Sequence, residues 1–518
     1  MGFFGTKEPR VPPHPRREPT LDLPVSAASV RKLFGKDADF SSRTVLLAGS
    51  RPVTAFFFDG LTEGGKITET VLWPLTRLWA AGAQEKEPGR AAAEGRAPPP
   101  ETDREAAEAL ASGGLYTTAA DLRETMDEAA ADLLAGRCAL FFRTDGFCVT
   151  VAARTENRRS ISEPEVESSV KGAKDSFTEE LRVCTSLVRR RLKSPFLRVA
   201  EEIVGRQSRT AVDILWIDGL TAPALVESVR KRLAAIDTDG VFYTGNVEEY
   251  LIDRPWSSFP QVITTQRPDK FCAHLLEGRV GVLIEGMPIA YAAPGTLESF
   301  LRAPQDSSDN YLLATILTVL RYAAMILTLF LPAFYIAVAG FHPEMIPARL
   351  MAAVIESKQD VPFTTAVEVL AMLTAFEILQ EAGLRLPKAI GQSVSIIGGL
   401  VVGQSAVEAR IISPIVVIVV AATGVMGYTI PNQDFAGALR IWRFALAAAA
   451  SFLGLLGMVL AFAVLLGRLS ALESFGVPYL TPFAAARGPA ESPLLRPPLM
   501  ERKERDAALH PQNVRKQR

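Results

Sequence analysis

The side chains able to do chemistry are few in this chain, and the most suggestive lie in apolar surroundings. Within 389–407 no residue is charged, yet Gln392, Ser393, Ser395, Gln404 and Ser405 make the stretch unusually polar. Just before it, VPFTTAVEVLAMLTAFEILQEAGLRLP (361–387) sets Glu368, Glu377 and Glu381 into an otherwise apolar helical pattern. On a helix Glu377 and Glu381 share a face, whereas Glu368 points nearly opposite. Polar groups among aliphatic ones face either water or a polar neighbour, so these residues are candidates for a pore-facing or subunit-facing role, or for simple helix packing. Catalytic constellations are not visible. The four histidines, His14, His274, His342 and His510, share no metal spacing; there is no phosphate-cradling glycine loop and no nucleophile–base pair. The cysteines, Cys138, Cys148, Cys184 and Cys272, form no CxxC. No catalytic residue, metal or cofactor is expected, and an enzyme is the poorest fit.

Hydropathy describes the elements that must hold these groups. Residues 1–310 are charged and mixed, while 311–467 contain the long uncharged runs, so a soluble domain followed by a membrane domain is expected. Tyr322–Phe341 is uncharged for 20 residues, Ile411–Pro431 for 21 and Phe444–Gly467 for 24, each run bounded by arginine. At about 1.5 Å per residue, roughly 20 residues cross a hydrocarbon core of about 30 Å. Ala389–Val407, uncharged for 19 residues, is the fourth candidate. Its Gly391, Ser395, Gly399 and Gly403 stand four apart and form one smooth face, suited to the close backbone approach that drives helix packing in lipid. Expected spans are about 316–341, 389–407, 411–431 and 444–467. The carboxylate-bearing segment 361–381 suits a re-entrant or interfacial helix, being ill fitted to lipid on all sides. The tail after Gly467 carries nine Lys or Arg against five Asp or Glu. The N-terminus MGFFGTKEPRVPPHPRREP has no apolar leader, so both ends are expected in the cytoplasm, with an even number of crossings.

The soluble part contains an internal echo. FFFDGLTEGGKITETVLWPL (56–75) and ILWIDGLTAPALVESVRKRL (214–233) each read as a strand, Asp-Gly-Leu-Thr, then an amphipathic helix. A hairpin pattern follows each, at 138–153 and 279–294, with Asp145-Gly146 and Glu285-Gly286 as turns. Asp59 and Asp218 are then equivalent; a strand-end turn explains them better than a catalytic or metal carboxylate. Pairing about Asp145-Gly146 sets Cys148 opposite Arg143 rather than Cys138, so four reduced thiols are expected. The basic stretch Val183–Arg198, with Arg189, Arg190 and Arg191, reads as a helix with a solvated face or, less readily, one touching an anionic surface. The expected fold is therefore an α+β or α/β soluble N-terminal region of two related subdomains, followed by an all-α polytopic membrane domain. Its parts are a disordered 1–30; subdomain 1 at 31–155 with a disordered insertion at 81–113; linker helices at 156–200; subdomain 2 at 201–310; the membrane domain at 311–470; and a disordered tail at 471–518.

At this level a family is visible. FPQVITTQRPDKFCAHLLEGRVGVLIEGMPIAYAAPGTLESFLRAPQDSSDNYLL (259–313) resembles the GerA family of spore germination receptor proteins, and so does LQEAGLRLPKAIGQSVSIIGGLVVGQSAVEARIISPIVVIVVAATGVMGYTIPNQ (379–433). Ser162-Glu163-Pro164-Glu165, FYIAVAGFH (334–342) and Val361-Pro362-Phe363 leading to Glu368 add to the likeness, which is to the A subunit over about 36–470. A departure lies at Lys171-Gly172-Ala173-Lys174-Asp175-Ser176-Phe177, where the family usually has Arg-Gly-Pro-x-x-Gly-Phe. The resemblance implies a subunit in the spore inner membrane, acting with a transporter-like B subunit and a C-subunit lipoprotein. It implies oligomers that form a germinant-gated cation path. Candidate path residues are Glu368, Gln392, Ser393, Gln404 and Ser405, then Glu377 and Glu408, because rings of carboxylates select cations. Gly391, Ser395, Gly399 and Gly403 would pack neighbouring helices. The alternative is a non-conducting signalling scaffold. A solitary transporter fits less well, lacking a clear inverted repeat, and the balance of 56 basic to 57 acidic residues gives no argument for nucleic acid.

Overall fold

A computed structural model describes residues 21–47, 51–77, 100–115, 117, 119–155, 167, 171–385, 403–483 and 494–516. The repeat seen in the sequence is a repeat of topology. Strands β1 (Phe40–Leu47), β2 (Arg51–Phe58), β3 (Ala120–Arg123), β4 (Arg137–Phe141) and β5 (Cys148–Ala152) form a sheet in the order β1-β2-β4-β5-β3. Strands β6 (Leu197–Val204), β7 (Thr210–Ile217), β8 (Ile263–Thr265), β9 (Val280–Ile284) and β10 (Ala290–Ala293) form the second in the order β6-β7-β9-β10-β8, the same arrangement. All pairings within both sheets are antiparallel, so each module is α+β rather than α/β. Each opens with a helix, Ala27–Phe34 or Leu181–Arg191, and places another between its third and fourth strands, Met126–Leu134 or Pro268–Leu276.

Alternation along the strands buries both faces of each sheet. Cys138 and Leu140 join the cluster of Val53, Ala55 and Val149 on one face; Ala139, Phe141 and Cys148 join Phe56 and Phe58 on the other. Cys138 pairs with Val151, and Cys148 with Phe141 rather than Arg143. The register differs from the expected one because the turn is wider: Phe142 and Phe147 leave the ladder and pack on each other at 5.7 Å. The two thiols thus sit on opposite faces, and all four cysteines are free and buried.

Three boundaries move. Residues 81–99 lie outside the described part, but the rest of the expected disordered insertion is built. Asp103–Ala109 is a helix closed by a Thr102–Glu105 capping box, with Ala106, Ala107 and Leu110 buried. The expected linker helix ends at Arg191, and the second sheet begins at Leu197. The basic triplet is not a solvated face. Arg189 is fully buried, donating to Asp39 at 2.7 Å and to Asp37 at 3.1 Å, with its guanidinium 4.3 Å from the Phe58 ring centroid. Ala38 N–H donates to Val199 O at 2.9 Å beside it. This charged knot joins the two modules.

From Tyr311 to Ser470 the described residues are mainly helical. Among the described residues two helices are long and apolar enough to cross a membrane, Tyr311–Phe341 and Gln433–Ser470. The second is not one rod. Gly454 has φ +60° and ψ −137°, a state open to glycine, and there the chain doubles back. Phe300 stacks on both Phe435 at 6.0 Å and Tyr479 at 5.9 Å, so the two ends meet. A straight 38-residue helix would hold its ends roughly 57 Å apart. Arg468 lies 5.9 Å from the Trp442 ring, consistent with antiparallel halves. The run 444–467, expected as a single span, is therefore a helical hairpin. Its turn abuts the end of the first long helix, where a Cβ on Gly454 would stand 2.9 Å from Phe341 Cβ.

The carboxylate-bearing segment is a helix, Thr365–Arg385, packed among the others, and Ala348–Lys358 is a further helix that hydropathy did not suggest. Of the expected span 411–431, Pro414–Gly427 is helical; its 14 residues rise about 21 Å, less than a hydrocarbon core. One apolar cluster runs unbroken from Phe259, Ala292 and Phe300 of the second module to Ala333, Leu373, Val416 and Leu446 of the bundle. After the hairpin, β11 (Glu473–Ser474) and β12 (Val477–Pro478) return to that module. Residues 494–516, expected as a disordered tail, lie along it: Gln512 N–H donates to Leu220 O at 2.8 Å, Arg505 to Leu276 O at 2.7 Å, and Leu509 is buried.

Candidate functional site

Among the described residues, the helix Thr365–Arg385 carries two clusters of buried charge. Glu368, in its first turn, is 1% exposed. Its Oε2 accepts from Ser413 N–H at 2.7 Å, at the N-terminus of Pro414–Gly427, where the helix dipole favours an anion. Lys358 Nζ stands 3.3 Å from Oε1 and also donates to Thr365 Oγ1. The hydroxyls of Tyr335 and Ser413 lie beside the carboxylate. The Tyr335 hydroxyl lies against the Ser413 side chain, and Lys358 is the cation facing Glu368 Oε1. A buried carboxylate is stabilised only when paired and hydrogen-bonded, and here the lysine supplies the counter-charge.

Glu377, on the opposite side of the same helix, accepts from Arg440 at 3.2 Å and from Arg443, which is 2% exposed. Arg440 also reaches Gln380 Oε1 at 3.3 Å, and Gln380 donates to Tyr428 at 3.0 Å. The opposite orientation of Glu368 and Glu377 thus places their partners on different elements, Lys358 and Ser413 against Arg440 and Arg443.

The other candidates are not gathered around Glu368. Residues 403–408 are helical, with Gln404 and Ser405 exposed and Gln404 donating to Glu408 at 2.9 Å. Gly403 is buried; a Cβ there would meet Val417 at 3.4 Å and Met372 at 4.0 Å, so this end of the smooth face packs within the chain. Gly391, Gln392, Ser393, Ser395 and Gly399 lie outside the described residues. Lys358, Ser413 and Arg443 were missed. Ser413-Pro414 ahead of an apolar run is a helix-start signal that could have placed Ser413, and a buried Glu368 demands a cation such as Lys358.

Asp59 and Asp218 end β2 and β7 at equivalent turns. Gly60 and Gly219 take φ +79° and +74°, and Thr62 N–H and Thr221 N–H close the turns on Phe58 O and Ile217 O. Asp59 accepts from Ser41 at 3.0 Å.

Between sheets and helices lies an aromatic junction. Phe259, Phe300, Phe435 and Tyr479 pack ring to ring; Leu297 N–H donates to Tyr479 O at 2.8 Å, and buried Ser474 donates to Gln261 O at 2.6 Å. The junction tethers both ends of the helical hairpin to the second module.

With duplicated sheet modules, a helical bundle and this junction in place, comparison with known proteins gives the class. A family model described as Bacillus/Clostridium GerA spore germination protein matches residues 28–508. The chain belongs to the GerA family of spore germination proteins. Spore germination protein B1 of Bacillus subtilis (strain 168) is 32% identical over 501 residues, 96% of this chain and 99% of that protein. Spore germination protein GerLA of Bacillus cereus is 31% identical over 458 residues, 88% of this chain and 89% of its own. The uncharacterized membrane protein YfkQ of Bacillus subtilis (strain 168) is 39% identical over 360 residues, 70% of each chain. Among solved structures, the N-terminal domain of the A subunit of the Bacillus megaterium spore germinant receptor GerK3 matches 54% of this chain and 98% of its own, at 21% identity and a TM-score of 0.37. The family's role is in spore germination.

Proposed function

We propose that this chain is the A subunit of a nutrient-germinant receptor in the spore inner membrane, and that copies of it assemble into a germinant-gated cation path. A transporter-like B subunit and a C-subunit lipoprotein are the partners, and both chain ends face the cytoplasm. The observation that carries this reading is the Glu368 cluster. A carboxylate buried beside two hydroxyls, with a single flexible lysine as counter-ion, can exchange that ammonium for a mobile cation once Lys358 withdraws. The arrangement described is then the closed one. A non-conducting scaffold is favoured by the same cluster if the pair never opens, since Glu377 is likewise neutralised by arginine.

Bilayer recording of the full chain, alone and with its B and C partners, separates the two. Cation conductance that falls or loses selectivity in Glu368→Gln supports the path. Conductance unaffected by that change removes Glu368 from the path, and absence of conductance from every assembly favours the scaffold.

A further inference from the structure

We propose that the loop 253–261 of the second module is a membrane-surface anchor whose Trp256 seats among lipid headgroups beside the point where the helices enter the bilayer. The inference rests on the reading that the bundle lies in a bilayer, and adds to it a contact made by the sheet domain.

Trp256 is 95% exposed, more than any other large apolar side chain among the described residues. The segment that carries it is built rather than loose. Gln261, 1% exposed, accepts from Asp253 N–H at 2.9 Å and Arg254 N–H at 3.1 Å, and donates to Arg254 O at 2.8 Å. Ser257 N–H closes a turn on Arg254 O at 3.0 Å. Asp253 accepts from Phe475 N–H at 2.6 Å, and Phe259 is locked into the aromatic junction. With both ends fixed, Trp256 projects from a rigid turn with Arg254 exposed beside it. A fully exposed indole on a preorganised loop presents a large amphipathic surface to whatever phase lies beside it.

Its position says what covers it. Two residues on, Ser258 Oγ accepts from the indole N–H of Trp442 at 2.9 Å. Trp442 precedes the uncharged run 444–467 by two residues, and Arg468, which bounds the far end of that run, lies 5.9 Å from its ring. Trp442 and Arg468 therefore mark the level where the hairpin passes from charged to apolar, the level at which tryptophan and arginine settle in a bilayer. Two extended residues span about 7 Å at most, so Trp256 is held close to that level. An amphipathic indole with an arginine two residues away suits the headgroup layer, the ring lying at the apolar boundary and the guanidinium on phosphate.

The test uses the full chain reconstituted in phosphatidylcholine–phosphatidylglycerol vesicles, with and without acyl-chain-brominated lipid. Emission is compared between wild type and Trp256→Phe, a surface change that spares the core. The expected difference spectrum is blue-shifted from that of indole in water and lost to bromine. Difference emission at the water wavelength, unquenched, overturns the anchor. So does emission that blue-shifts only when a partner subunit is added and escapes the bromine, which would mean a protein covers the indole. Trp442→Phe is the internal control: if its difference emission is quenched while that of Trp256 is not, the anchor alone fails. If neither is quenched, the bilayer placement fails with it.

Discussion

Replacing Arg189 by methionine tests whether a buried charge knot holds the two modules in register. The native guanidinium makes bonds to Asp37, Asp39 and Leu197 O, and no part of its side chain meets solvent. Methionine keeps much of the stem volume but leaves two carboxylates in a closed site, with Arg198, 3.8 Å from Asp37, as the neighbouring cation. Breaking a buried pair from one side costs roughly 3–5 kcal/mol, whereas removing all its charges together is often near neutral. At roughly 2–4 °C per kcal/mol for folding units of this size, R189M should lower the Tm by about 6–20 °C. The deficit should depend on pH. Burial, the largest influence, lifts the Asp37 carboxyl to about 6 from 3.8, against the pull of Arg189. Without the arginine it rises further. A carboxyl raised on folding contributes stability that is complete below its unfolded value and lost as pH climbs through the folded one. The penalty should therefore be smaller at about pH 5 than at about pH 8. Thermal melts of the detergent-solubilised full chain at both pH values give the answer. An R189M chain that melts within about 2 °C of wild type refutes the argument. So does an R189M/D37N/D39N chain that recovers none of the loss.

Two further outcomes follow from the geometry. Gly454→Ala forces a side chain into a backbone state reserved for glycine and against Phe341 Cβ, and should cost about 1–3 kcal/mol in thermal melts; an unchanged melt would mean the hairpin turn does not depend on glycine. Burial pushes the thiols of Cys138, Cys148 and Cys272 up to about 12 and that of Cys184 to about 11, so a maleimide at neutral pH should label none of the four in the folded chain and all after denaturation. Labelling of any one in the native state would contradict its packing.

The duplicated modules were legible because a short turn motif repeated with its flanking strand and helix, and local chemistry of that kind is written in adjacent residues. Glu368 stood out for the same reason, as a charge within an apolar period. Its partners did not, since Lys358 and Ser413 reach it through tertiary packing. Arg189 was misread because a run of three arginines has the composition of a wet surface; only the approach of Asp37 and Asp39, about 150 residues away in sequence, makes it an interior residue. Hydropathy counted 444–467 as one crossing because a glycine within an aliphatic run does not alter the average, although its dihedral angles reverse the chain. The Cys148 register failed by two positions because Phe142 and Phe147 gain more from packing on each other than from extending the ladder. The tail misled in a similar way: a Pro/Arg-rich composition says that a segment has no core of its own, not that it lacks a neighbour's surface to lie on.

The helical unit leaves the second module after Leu301 and is fastened to it again by Tyr479, whose carbonyl accepts from Leu297 N–H. A body mounted on two posts cannot swing as a pendant on one string would. The two posts stand side by side, Phe300 stacking on Tyr479 at 5.9 Å, so a shift of Leu297–Leu301 against the sheet would reach both ends of the helical unit together. The shared stack of Phe300, Phe435 and Tyr479 is the place where the two attachments meet.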